Sequence, residues 1–167
     1  MSITKKWLVF YTKSRQEKKV RDILLRNGYE VFLPMQKVLR QWTDRKKWVE
    51  APLFNSYIFV FESEDKIVNV LQTPGIAWNI RHNDKPAVLH PKELATIQRF
   101  LTSGLLVEVA PLAGAEVGDL VEIMGGPLKG LQGSIQRSQE SDKFTLSLES
   151  IGQSLLVTVQ RDFLRLI

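Results

Sequence analysis

The spacing of apolar residues changes character near residue 102. Before that point, strand-like apolar runs alternate with segments whose apolar residues recur at helical spacing. Beyond about residue 117 only short alternating runs occur, separated by Gly, Ser and acidic residues. Two folding units of different class follow from this switch. The longest uninterrupted apolar runs, Trp7–Tyr11 and Tyr57–Phe61, are five residues long, far below the roughly 20 that a bilayer-spanning helix needs. No membrane partner is expected. The chain has no cysteine, which excludes disulfide frameworks, thiolate metal sites and cysteine nucleophiles. Its start, MSITKK, runs straight into a strand-like segment without the apolar core of a signal peptide, so the expected location is cytoplasmic.

In the first part, Trp7–Tyr11 reads as a buried strand. Ser14-Arg-Gln-Glu17 has the spacing of a capping box and predicts a helix start, with Val20, Ile23 and Leu24 on one face and Asn27-Gly28 as the stop. Val31–Pro34 is the next strand. Residues 37–50 alternate basic and apolar positions around Thr43-Asp44-Arg45, which predicts a twisted β-hairpin anchored by Trp42 and Trp48. Pro52-Leu-Phe54 leads into the strand Tyr57–Phe61. A short helix over Asp65–Leu71, a break at Thr73-Pro74-Gly75, a strand over Ile76–Arg81 and a turn at Asn83–Pro86 follow. His90-Pro91-Lys92-Glu93 opens a last helix, with Leu94, Ile97, Phe100 and Leu101 at helical spacing. The expectation is an α+β sandwich, an antiparallel sheet with flanking helices, over residues 1–102.

Residues 103–116 carry Gly104, Pro111, Ala113, Gly114 and Ala115 without a sustained period and are predicted to be a linker. Residues 117–167 then offer short strands at Leu120–Met124, Gln132–Gln136, Lys143–Glu149, Leu155–Gln160 and Phe163–Leu166. Phe144, Leu146 and Leu148 alternate with Thr145, Ser147 and Glu149, as in a half-buried strand. A small closed all-β barrel is expected, because closure removes exposed strand edges. Gly152 and the β-branched Val157, Thr158 and Val159 weigh against a stable helical alternative for this region.

Net charge is +5, unevenly placed. Residues 1–50 hold 13 Lys and Arg against 5 Asp and Glu, whereas residues 111–167 hold 5 against 7. A one-sided basic field attracts polyanions through phosphate contacts and counterion release. A solvated basic surface is the alternative for such a stretch taken alone.

Two segments carry a resemblance to a known family. Glu50-Ala-Pro52-Leu-Phe54-Asn-Ser-Tyr57-Ile-Phe59-Val60 resembles the Pro-Leu-Phe-Pro-Gly-Tyr signature in the N-terminal (NGN) domain of the NusG superfamily of transcription elongation factors. Gly118-Asp-Leu-Val121-Glu-Ile-Met-Gly125-Gly-Pro127-Leu-Lys129-Gly130-Leu-Gln-Gly133 resembles a KOW motif. Trp7 with Tyr11, Thr73-Pro74-Gly75-Ile76 and Lys85-Pro86 are similar to the family in the same order along the chain. Ser14-Arg15 with Glu17-Lys18-Lys19, and Val38–Lys47, look most like the UpxY-type antiterminators linked to capsular polysaccharide operons. Asn55-Ser56 departs from the family's Pro-Gly, which predicts a less sharply turned start to the following strand.

The resemblance implies an NGN-like domain followed by an SH3-like KOW barrel, acting as an antitermination and processivity factor. It implies docking on the clamp helices of the RNA polymerase β′ subunit through an apolar cavity, with Tyr11, Phe54, Tyr57, Phe59 and Trp78 as the matching positions. A few buried aromatic anchors dominate such interfaces. Phe59, inside an apolar run, reads equally as core. Non-template DNA contact is implied at Lys13, Arg15, Gln16, Lys18 and Lys19, where a helix start and its cations offer a phosphate seat. Arg40, Arg45, Lys46 and Lys47 on the hairpin read either as upstream DNA contacts or as a solvated tip. The barrel is implied to recruit ribosomal protein S10 or a termination factor, with Phe144 as the candidate contact and barrel core as its other reading. Two binding modules on one tether raise effective concentration without strong contacts. A monomer is expected.

No cofactor is expected. His82 and His90 flank a proline turn without carboxylates at ligand spacing, and no P-loop, dinucleotide fingerprint or nucleophile elbow is present, so the chain is read as non-enzymatic. Two rivals stand beside the antiterminator: the housekeeping elongation factor, and a KOW-type RNA-binding or ribosome-associated protein. The latter predicts a basic C-terminal part.

Overall fold

The computed structural model describes residues 4–112, 118–137 and 142–167. The chain divides into two compact units, Met1–Leu94 and Ala95–Ile167. The first contains β1 (Lys6–Thr12), α1 (Glu17–Arg26), β2 (Glu30–Phe32), β3 (Met35–Gln41), β4 (Lys46–Pro52), β5 (Tyr57–Glu62), α2 (Ile67–Leu71), β6 (Ile76–Asn79), β7 (Arg81–His82), β8 (Lys85–Pro86) and β9 (Val88–Leu89). Helix α3 (Pro91–Leu101) carries the division within it rather than before the expected linker.

The main sheet of the first unit has the order β2-β5-β1-β6, with β9 also paired to β1, and every pairing is antiparallel. Register sets Leu8 opposite Val60 and Phe10 opposite Ile58. Side chains alternate across a strand, so these four share one face. They pack there with Val20 and Leu24 of α1 and with Ile67 and Val70 of α2. Full burial of such side chains stabilises by roughly 1.5–3 kcal/mol each, which is what holds both helices on the sheet.

Helix α1 ends where expected: the Asn27 N–H reaches Ile23 and Leu24 carbonyls, and Gly28 takes φ +86°. Its start differs from the prediction. The N-cap is Gln16, without a side-chain cap, and Ser14 lies two residues too early to serve. A turn closed by Gln16 N–H on the Lys13 carbonyl, with Arg15 at φ +62°, takes the place of the capping box. The turn is tied to the rest of the unit by Lys13 N–H, which donates to the Gly75 carbonyl at 2.8 Å.

Strands β3 and β4 form a separate ribbon from Met35 opposite Pro52 to Gln41 opposite Lys46. Trp42 and Trp48 were expected to anchor it, yet both are more than half exposed. The ribbon is held instead by its backbone ladder and by the Trp42 N–H bond to the Arg45 carbonyl (2.7 Å) that closes the turn. The expected single strand Ile76–Arg81 is divided into β6 and the small β7–β8 hairpin.

In the second unit, β10 (Glu108–Pro111), β11 (Leu120–Ile123), β12 (Gln132–Arg137), β13 (Asp142–Leu148), β14 (Gln153–Thr158) and β15 (Leu164–Leu166) form one antiparallel path, β10-β14-β13-β12-β11-β15. Two corrections follow. The expected linker contains β10, which pairs residue for residue with β14; positions 113–117 lie outside the described residues. Among the described residues β10 and β15 are not paired with each other, so the path is not closed. Ile97 and Phe100 of α3 are fully buried, and the Phe100 ring lies 6.5 Å from that of Phe144, which accounts for the last turns of α3 belonging to this unit. Gly133 has no room for a side chain: a methyl there would overlap the Thr145 carbonyl and come within 2.7 Å of the Phe144 ring.

Candidate functional site

The face of the first sheet opposite α1 and α2 is built from the other half of the strand alternation. Trp7 pairs with Phe61, Val9 with Phe59 and Tyr11 with Tyr57. The rings form a connected row. Trp7 lies 5.1 Å from Phe61 and 6.2 Å from Phe32, Phe32 is 5.8 Å from Phe59, and Phe59 is 6.2 Å from Phe54. The row continues from Phe54 to Tyr57 at 6.2 Å and from Tyr57 to Tyr11 at 6.1 Å, and ends in Tyr11 stacked on Trp78 at 4.5 Å and 4°. Edge and offset contacts of this kind contribute about 0.5–1.5 kcal/mol per pair beyond area burial.

Burial separates floor from surface. Phe59 is fully buried and Phe54 nearly so, and both therefore serve as packing beneath the site rather than as surface contacts. Tyr11 and Tyr57 are half-buried, and Trp78 is 55% exposed. The aromatic set named from sequence thus forms one cluster, but only Tyr11, Tyr57 and Trp78 meet solvent. Trp7, Phe32 and Phe61 belong to the same row and were missed; the period-two alternation of β1 and β5 is the signal that points to Trp7 and Phe61.

The turn into β5 follows directly on Phe54. Ser56 takes φ +68°, the left-handed conformation natural to glycine, and its carbonyl accepts the Thr12 N–H at 2.7 Å. The expected loosening of this turn by Asn55-Ser56 does not occur. The β1 ladder holds Ser56 in place despite its side chain.

Beside the ring row lies a cleft of 530 Å³ between the start of α1, the base of the β3–β4 ribbon and the Asn55-Ser56 turn. Arg15, Lys18 and Arg40 bring cations to it, Trp42 a ring, and Glu17 and Glu50 carboxylates. Lys18 Nζ donates to the Glu50 carbonyl at 2.9 Å, joining helix to ribbon. Of the residues expected to meet nucleic acid, Arg15 and Lys18 line this cleft; Lys13 and Lys19 are exposed without lining it. Gln16 is half-buried and lies along Gly75. Glu17, Trp42 and Glu50 line the cleft as well and were not named for DNA contact, and Arg40, read from sequence as an upstream DNA contact or part of a solvated tip, also lines it. Among the described residues no three His, Cys, Asp or Glu converge as a metal site requires.

In the second unit Phe144 is fully buried, so it offers no contact surface. The exposed ring is Phe163, at 36%, which lies over Gly125 and Gly126. A methyl at Gly125 would come within 2.8 Å of the Phe163 ring, so glycine there is what lets the ring lie flat on the loop. Phe163 joins Leu105, Pro127, Leu128 and Val159 around a small apolar pocket of 130 Å³. The paired glycines were the available sign that something packs over that loop.

These features coincide with what comparison with known proteins finds. A family model described as transcription termination factor nusG matches residues 5–98. The transcription termination/antitermination protein NusG of Rickettsia bellii (strain RML369-C) is 25% identical over 163 residues, and that of Rickettsia felis (strain ATCC VR-1525 / URRWXCal2) 24% over 162. Each alignment covers 90% of this chain and 84% of the relative. Among solved structures, one described as domain interaction in Thermotoga maritima NusG has a TM-score of 0.59 at 21% identity, covering 98% of both chains, a likeness of fold. No described helix is long and apolar enough to cross a membrane. The matched segment spans more than half of the sequence, including the ring row and the basic cleft: this chain belongs to the NusG family of transcription termination/antitermination factors.

Proposed function

We propose that this protein is a specialised antiterminator of the UpxY type, which joins RNA polymerase after initiation and carries it through long operons, those for capsular polysaccharide being the expected targets. Its exposed aromatic end, Tyr11, Tyr57 and Trp78, seats on the β′ clamp helices, with Phe54 and Phe59 as the rigid floor beneath. The adjoining cations at Arg15 and Lys18, with Lys13, Lys19 and Arg40 around them, hold the non-template DNA strand. Clamp stabilisation together with strand contact suppresses pausing. The C-terminal sheet acts as a KOW module recruiting ribosomal protein S10 or a termination factor, through the surface around Phe163 rather than Phe144.

The observation that carries this reading is the adjacency of the two surfaces in one unit. A stacked, solvent-facing Tyr11–Trp78 pair ends the ring row, and β1 leads directly from Tyr11 to the cationic start of α1. An apolar anchor beside a phosphate seat fits a protein that grips polymerase and its exposed strand together. The excess of acidic over basic residues in 111–167 disfavours the RNA-binding alternative. As a test, Tyr57→Ala is expected to weaken binding to core polymerase by about 1–3 kcal/mol in a pull-down titration. Unchanged affinity removes Tyr57 from the interface. Genome-wide polymerase association separates the specialised from the housekeeping role, since occupancy of most transcription units excludes the former.

A further inference from the structure

We propose that β10 is a removable strap, and that the edge of β14 beneath it is a docking edge for an extended partner segment with a carboxylate two residues ahead of a small side chain. The proposal rests on no contact around Phe163, so it can fail while the recruiting role proposed for this unit stands. Strand β14 buries Ser154, Leu155, Leu156 and Val157 in succession. A strand of that kind left bare at a sheet edge is a template for pairing with another chain. Its cover is short: Glu108 opposite Leu156 through Pro111 opposite Gln153, continued by the Leu112 N–H on the Gly152 carbonyl at 3.0 Å. No side chain of β10 is buried, and among the described residues β10 pairs with no strand but β14. Apolar burial therefore contributes little to holding the strap. Its main-chain ladder does most of that, and any extended segment can make the same ladder in its place.

Side chains say which segments fit. Register and strand alternation put Glu108, Ala110, Ser154, Leu156 and Lys143 on one face. Lys143 belongs to β13, on the far side of β14, and its Nζ donates to both Glu108 carboxylate oxygens at 2.8 and 2.9 Å. This ion pair spans β14 and clamps the strap across it. Ala110 lies opposite Ser154, which is 1% exposed, so a small residue suits that position. An incoming segment keeps the Lys143 clamp only if it brings its own carboxylate to the place of Glu108. Because the strap is part of the same chain, its effective concentration at the edge is on the order of millimolar. A partner segment alone competes poorly; one tethered by a second contact on the unit competes on equal terms. The strap thus restricts this edge to partners already engaged.

The test uses the full chain, hydrogen exchange over β14, and a fluorescent peptide with the strap's own sequence, Leu106-Val-Glu-Val-Ala-Pro-Leu112, read by anisotropy. Glu108→Lys and Lys143→Glu each replace the ion pair by like charges, so both are expected to speed exchange in β14 by roughly three- to tenfold. Only Glu108→Lys keeps the cation that the peptide's carboxylate needs. It is expected to bind the peptide roughly tenfold more tightly than the wild-type chain does, whereas Lys143→Glu gains little. The double exchange, Glu108→Lys with Lys143→Glu, restores the clamp and the slow exchange. Unchanged exchange in Glu108→Lys overturns the strap. Equal peptide affinity of wild type and Glu108→Lys overturns the docking edge, and equal affinity of the two single variants overturns the carboxylate requirement. Should Glu108→Lys unfold the unit, Glu108→Gln carries the same prediction at smaller amplitude. Loss of partner capture in Phe163→Ala is a separate result that leaves these exchange rates where they were.

Discussion

Ser56→Gly is expected to stabilise the first unit even though it removes atoms from a buried position. Ser56 sits at φ +68°, where an L-residue is less stable by about 1–2 kcal/mol than in the right-handed region and glycine carries no such penalty. The added freedom of glycine in the unfolded chain offsets about 0.4–1 kcal/mol of this gain. The net is a stabilisation of about 0.5–1 kcal/mol. Ser56→Ala is the control, because it removes the hydroxyl while keeping the Cβ that causes the strain. All four tryptophans, Trp7, Trp42, Trp48 and Trp78, lie within Met1–Leu94, so tryptophan emission during urea unfolding reports that unit. With an m-value of about 1 kcal/mol/M for a unit of this size, the Ser56→Gly midpoint rises by about 0.5–1 M. A lower midpoint for Ser56→Gly refutes the reasoning. So does an equal rise for Ser56→Ala, since backbone strain is then not the cause.

The two phenylalanines of the second unit are expected to separate cleanly. Phe144→Ala loses about 3–5 kcal/mol of stability, as for a fully buried ring, while Phe163→Ala, whose ring is partly exposed, loses less; circular-dichroism melts of the second unit's sheet signal measure both, and only Phe163→Ala is expected to weaken capture of the proposed partner, ribosomal protein S10 or a termination factor, without unfolding the unit. Arg15→Ala is expected to weaken single-stranded DNA binding about equally for all sequences and to reduce the slope of log affinity against log salt by about 0.7, one phosphate's share. An unaltered slope places Arg15 outside the backbone contacts.

Much of the architecture is legible from local order. Uninterrupted apolar runs located β1 and β5, alternation located β13, and helical spacing located α1 and α3, because these are local patterns that a short window of sequence already contains. The order of motifs along the chain was enough to point to the family that the matched segment 5–98 establishes. The helix start failed as a local reading because a turn from Lys13 to Gln16, with Arg15 in the left-handed region, occupies the place the cap needs, and that turn is tied to the Gly75 carbonyl, a partner far away in sequence. Strand β10 was invisible for a similar reason. Four residues around Val109 show no period of their own and become a strand only because β14 supplies the ladder.

The candidate site divides along the same line. Residue types alone placed aromatic rings and cations in the first unit, and the family resemblance named five of the rings that cluster there. Only the tertiary structure decided that Phe54 and Phe59 lie underneath while Tyr11, Tyr57 and Trp78 face outward, and that Phe163 rather than Phe144 is the exposed ring of the second unit. It alone brought Glu17 and Lys18 of α1 beside Arg40 and Trp42 of the ribbon. Local patterns record which side of an element is apolar, but how deeply a ring is covered, and which charges share a cleft, depend on segments remote in the chain that meet only when the sheet and ribbon assemble.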